Sequence, residues 1–150
     1  MSMKKRTRSR VAAVQAIYQL EKSDSDLPTI VKEFVFHRVG KDEESAPYEE
    51  MDKSFFKDLV EEVADNRDDV DSIIAGNLAE NWTLERMDQV SHALLRCGTT
   101  ELLRMGETPA KVVINEYLEA AHTFFEREEI SFINKTLDKI SHLLRPSEVA

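Results

Sequence analysis

A single cysteine in 150 residues cannot close an internal disulfide, which fits a reducing compartment and leaves Cys97, set in an apolar stripe, as a small core residue. Four glycines and four prolines supply few of the turns that sheets need, so the chain is expected to be all-α. No uncharged run reaches the roughly 18 residues that a membrane span requires. Basic residues followed by VAAVQAIYQL imitate a signal peptide, but Gln15 and Gln19 interrupt the apolar run and no A-x-A cleavage site follows. The chain therefore reads as cytoplasmic. His37, His92, His122 and His142 fall in no zinc spacing, and Gly40, Gly76, Gly98 and Gly106 make neither a P-loop nor a dinucleotide fingerprint. Glu119 and His122 form one Glu-x-x-His step, the unit of di-iron bundles, but such sites need two copies on different helices. A solvated helix face is the simpler reading. No residue set for catalysis emerges, and no metal or other cofactor is expected.

What the chain does have is an uneven charge distribution. The net charge is −9, yet residues 1–20 contain five basic residues and no acidic one, leaving 15 basic against 29 acidic in the other 130. The first 20 thus carry +5 and the remainder −14. A basic arm, about residues 1–8, on an acidic body engages polyanions locally while the body repels them elsewhere. Lys4, Lys5, Arg6, Arg8 and Arg10 stand at the start of a helix spanning about Ser9 to Glu21. Cations are misplaced there for the helix dipole, whereas a phosphate would be favoured by the free N–H groups and the arginines together. A solubilising tail is the alternative. The arginines lie outside the core pattern, so replacing Arg6, Arg8 and Arg10 together should leave stability unchanged.

The rest reads as a series of amphipathic helices in one domain, with a division near residue 80 between N-terminal (about 1–80) and C-terminal (about 81–146) parts. Asp26 caps a second helix with Pro28 in its first turn. Residues 40–50 form an acidic loop suited to disorder. Helices three and four carry Phe55, Phe56, Leu59, Val60 and Val63, then Val70, Ile73, Ile74 and Leu78. Trp82 and Leu84 start an apolar patch from which the central helix continues to Met105; from Val90 on it is apolar on nearly every side, so this helix must be surrounded by others, with Arg96, Glu101 and Arg104 leaving through gaps in the packing. Gly106 should end it as a C′ glycine. Thr108 and Pro109 predict the next helix start, as N-cap and first residue. Residues 126–129 read as a charged connection, and Ser131 as the cap of a last helix that Pro146 stops.

Four ordered blocks carry a resemblance: Arg8-Ser-Arg-Val-Ala-Ala-Val-Gln-Ala-Ile-Tyr18, Leu94-Leu-Arg-Cys-Gly-Thr-Thr-Glu-Leu102, Pro109-Ala-Lys-Val-Val-Ile-Asn-Glu116 and Phe132-Ile-Asn-Lys-Thr-Leu-Asp-Lys139. Together they resemble the NusB family over essentially the whole chain. The resemblance implies about seven helices in two packed subdomains and no enzymatic activity. It also implies a single-stranded boxA RNA partner from ribosomal RNA operons, bound together with the small-subunit ribosomal protein NusE. The complex would modify RNA polymerase for read-through of terminators. A homodimer that hides the basic arm stays open, as does a protein-interaction scaffold with little RNA affinity.

Carried onto this chain, the resemblance makes Lys4, Lys5, Arg6, Arg8, Arg10 and Gln15 the RNA-binding start, and places Phe132, Asn134, Lys135 and Lys139 in the same general region. Guanidinium groups pair with phosphates and an exposed ring stacks an unpaired base. Phe132 as core and Asn134 as a buried hydrogen-bonding residue are equally weighted alternatives. Family members often have small residues where this chain has Phe125 and Lys135, and some are basic where it has acidic 126–129, which would weaken RNA binding. Arg96, Glu101 and Arg104 become candidates for contact with the ribosomal protein, against ordinary salt bridges.

Overall fold

The computed structural model describes residues 2–37 and 51–149, which form eight α-helices and no strand. The acidic loop expected at 40–50 lies outside the described residues. Helix α1 spans Ser2–Lys22, so the basic start is part of the first helix and not a separate arm. Helix α2, Leu27–Lys32, begins as expected, with the Asp26 carboxylate accepting the Thr29 N–H at 2.9 Å and Pro28 in the first turn, and it widens into a π-helical turn over Glu33–His37. Helices α3 (Lys53–Asp65) and α4 (Arg67–Gly76) follow. After a 3-10 turn at Leu84–Arg86 come α5 (Gln89–Arg104), α6 (Ala110–Phe124), α7 (Arg127–Leu144) and the short α8 (Pro146–Val149).

Helix α5 is the hub. Every residue from Ala93 to Leu102 is buried, and α1, α3, α4, α6 and α7 all pack on it. A helix apolar on all sides is thus covered on all sides, as periodicity required. Gly98 lets two neighbours come close, because a Cβ there would sit 3.1 Å from Leu137 Cδ2 and 3.4 Å from the Tyr117 ring. Around this helix the buried apolar side chains of both halves of the chain form one continuous cluster.

Several helix ends differ from expectation, and the hydrogen bonds made there give the reason. The central helix starts at Gln89, since Asp88 accepts both the Ser91 N–H (2.8 Å) and the Ser91 hydroxyl (2.7 Å) as its cap. Trp82 stands in the loop before it. At α6, Pro109 occupies the cap position and Thr108 makes no side-chain cap. The free Ala110 N–H instead donates to Glu148 Oε1 at 2.8 Å, so α8 caps α6 from a distance. Gly106 has no left-handed φ. The terminal carbonyls of α5 are taken up by Arg145, which donates to the backbone oxygens of Glu101 (3.2 Å), Leu102 (3.0 Å) and Met105 (3.2 Å), and to that of Thr108 beyond (2.7 Å). Residues 127–129 are the first turn of α7 and no connection; Glu128 and Glu129 complement its dipole there, and Ser131 lies inside the helix.

Candidate nucleic-acid interface

The basic residues of α1 divide by helix face. Arg6 and Arg10, four apart, stand over the Phe55 ring of α3, each with its guanidinium carbon 4.8 Å from the centroid. Arg6 is half-exposed and reaches the N-cap carboxylate of α3, Asp52 Oδ2, at 3.5 Å. Asp52 also anchors the first turns of α1, since its carbonyl accepts the Ser9 hydroxyl at 2.8 Å and its N–H donates to Lys5 O at 3.4 Å. Lys5 is exposed and Arg8 partly so. The Lys4 side chain lies outside the described residues.

Arg10 is not a ligand-binding residue of the surface. Its side chain is only 2% exposed and grips Glu101 of α5 with two bonds, Nε to Oε1 at 2.6 Å and Nη2 to Oε2 at 3.0 Å. The remaining Nη1 donates to Glu116 Oε1 of α6 at 2.7 Å. Burial alone would lower the Arg10 pKa, but the bonds and charges of Glu101 and Glu116 outweigh it and raise it. Glu101 also accepts the Tyr117 hydroxyl at 2.7 Å, and Glu116 the Thr7 hydroxyl at 2.8 Å. Burial first, then the charge of Glu101, pushes the Tyr117 phenol well up, so it stays a donor. This network clamps α1 to α5 and α6, so Arg10 lies within the core and not outside its pattern as expected.

Two of the three residues considered for contact with a protein partner are also interior. Glu101 is fully buried. Arg96 is 5% exposed and makes a forked pair with Asp71 of α4, Nε to Oδ1 at 2.9 Å and Nη2 to Oδ2 at 2.8 Å, with Nη1 3.2 Å from Glu21 of α1. Only Arg104 is open to solvent; it pairs with Glu62 at 3.2 Å and lines a cavity of about 240 Å³ together with Arg6, Asp52 and Asp58.

Asp71 accepts from His92 Nε2 as well, at 2.9 Å. Desolvation pushes its carboxyl up, but the hydrogen bonds and charges of Arg96 and His92 prevail and hold it far below the ordinary range. A depressed folded-state pKa adds stability above the unfolded carboxyl's titration, lost as pH falls through the folded one. Asp71→Asn is therefore expected to be less stable than wild type at neutral pH, with the difference shrinking as pH falls below about 4. Urea unfolding of both proteins across pH checks this; a difference independent of pH would remove the ionised Asp71 from the explanation.

The C-terminal group forms a separate patch. Phe132 is half-buried against Trp82, with ring centroids 5.1 Å apart, and lines a cavity of about 270 Å³ with Lys135 and Lys139. Asn134, Lys135 and Lys139 are exposed, so Asn134 is no buried hydrogen-bonding residue. Gln15 lines a third cavity, of about 460 Å³, with Tyr18, Lys22 and Phe124. Arg6, Gln15 and Phe132, expected in one region, thus line three distinct cavities. Asp52 and Trp82 belong to these surfaces and carried no motif; in the sequence Trp82 reads, with Leu84, as the start of the apolar patch before the central helix.

These features define an all-helical protein, built around a buried helix, that presents cations on the first helix and on a second edge beside aromatic rings. The chain belongs to the NusB family, whose model matches residues 7–142. It is 43% identical over 136 residues to the transcription antitermination protein NusB of Caulobacter vibrioides, covering 91% of each chain. To the protein of the same name from Sphingopyxis alaskensis it is 40% identical, with 93% of this chain and 94% of the relative covered. Among solved structures it matches T. maritima NusB with a TM-score of 0.77 and 28% identity, over 95% of this chain and 94% of that one. A structure of the antitermination factors NusB and NusE in complex with dsRNA matches with a TM-score of 0.78 at 20% identity, over 95% of this chain and 99% of that one, which is a likeness of fold.

Proposed function

We propose that this protein is a transcription antitermination factor that binds the boxA RNA of ribosomal RNA operons together with the ribosomal protein NusE, and so makes RNA polymerase read through terminators. Membership of the NusB family over residues 7–142 carries the reading. The geometry supports an RNA-binding rather than an enzymatic role: α1 is held rigid by the Arg10 network while Lys5, Arg6 and Arg8 stay at least partly exposed on it. No described helix is long and apolar enough to cross a membrane, and the role places the protein in the cytoplasm with nascent RNA.

Phosphate contacts release counterions, so binding should weaken steeply with salt. Replacing Lys5 and Arg8 by Ala is expected to reduce the salt slope by about 1.4, at about 0.7 per phosphate lost from a single strand. The measurement is a titration of boxA RNA, with the ribosomal protein present, at several salt concentrations. Absence of RNA binding with the ribosomal partner bound would leave the scaffold reading, in which only protein contacts are kept.

A further inference from the structure

Trp82 is the chain's sole tryptophan, and 45% of its surface is exposed. It belongs to no helix. Its backbone N–H donates to Ala79 O at 2.9 Å, and Arg86 Nη1 closes the same loop on Asn81 O at 3.0 Å. The indole leans on Phe132 of α7 with planes inclined by 40°. Because Phe132 is half-buried, it serves as the support and Trp82 as the accessible ring. Beside the pair, Lys135 and Lys139, four apart on one face of α7, flank the cavity that Phe132 lines. Asp138 stands on the same rim, disfavouring a phosphate inside the cavity and suiting a base edge that carries N–H donors.

An exposed ring on a fixed support, with cations at the spacing of one helical turn, is the chemistry that holds unpaired nucleotides: stacking for the base, lysines for the backbone. We propose that Trp82, braced by Phe132, is a nucleobase-stacking platform, and that Lys135 and Lys139 take phosphates of the same strand. This makes a second RNA contact, on a cavity distinct from that of the basic face of α1, and it rests on the RNA-binding reading above. The paired lysines favour a polyanion over a protein partner as the occupant.

The test uses the full chain with the ribosomal protein and labelled single-stranded boxA RNA, reading RNA anisotropy and tryptophan emission in parallel. The Trp82→Phe chain supplies the emission background and keeps a ring against Phe132 if Trp82→Leu folds poorly. Expected are quenching of Trp82 emission on RNA saturation, binding weakened on the order of tenfold by Trp82→Leu and less by Trp82→Phe, and a salt slope reduced by about 1.4 in Lys135→Ala/Lys139→Ala. RNA binding with unchanged Trp82 emission, and wild-type affinity in both tryptophan variants, would overturn the platform while leaving RNA binding by α1 intact. No RNA binding by the wild-type complex would overturn both. Loss of the ribosomal protein instead of the RNA in the tryptophan variants would overturn it in favour of a protein contact.

Discussion

Arg10→Ala is expected to destabilise the protein by about 3 to 5 kcal/mol, the range found when one partner of a buried ion pair is removed. The reason is what remains. Glu101 has no exposed surface, and without Arg10 its carboxylate keeps one neutral donor, the Tyr117 hydroxyl. Glu116 loses its arginine at the same time. The cost therefore comes from stranding a charge, more than from the attraction itself. Arg10→Met combined with Glu101→Leu should recover part of the loss, because the fully buried carboxylate is then removed with its partner and only the slightly exposed Glu116 is left without its arginine. Urea unfolding of the single and double variants measures this. Equal destabilisation of both would show that Arg10 acts through packing on Phe55 alone. Corrected for the folded fraction, RNA affinity of Arg10→Ala should stay near wild type, unlike that of the Lys5 and Arg8 variants.

Arg145→Ala should have the second-largest effect, about 2 to 4 kcal/mol, since unsatisfied buried polar groups cost about 1 to 3 kcal/mol each and water can replace part of the loss here. One guanidinium serves three carbonyls at the end of α5 and that of Thr108 before α6, and it also meets Glu148 at 3.0 Å, the residue that caps α6. Arg145→Lys should retain little of the stability, because an ammonium lacks the planar fork that reaches several acceptors at once. Thermal unfolding gives the magnitude, and amide exchange gives the location: faster exchange concentrated in the last turn of α5 and the first turn of α6. Uniform acceleration across the protein would argue against a cap and for a general packing role.

Both residues show where reading along the chain stopped. Val14 and Ile17 repeat at helical spacing and are buried, and Arg10 is four residues before Val14 on the same stripe. Glu101 likewise follows Cys97 by four on the hub helix. Along the chain Arg10 nevertheless reads as lying outside the core pattern, and Glu101 as leaving it through a gap. Their burial against one another was not legible, because they are 91 positions apart and meet only through the crossing of α1 on α5. The same holds for the proposed interface. Lys135 and Lys139 were legible as candidates on α7 and the exposure of Asn134 stayed open, but periodicity could not show that Trp82 would be folded back over Phe132, nor that Phe132 would line a different cavity from Arg6.

Local chemistry determined the helices themselves: the Asp26 cap, the apolar stripes and the all-round apolarity of α5 depend only on near neighbours in the chain and were realised as read. Distance along the chain is the physical limit. A cap or a stripe draws on residues three or four apart, whereas the Arg10–Glu101 pair, the Arg145 cap and the Trp82–Phe132 platform join residues brought together only by helix packing. Which charges became core and which stayed on the surface was therefore decided by the tertiary structure.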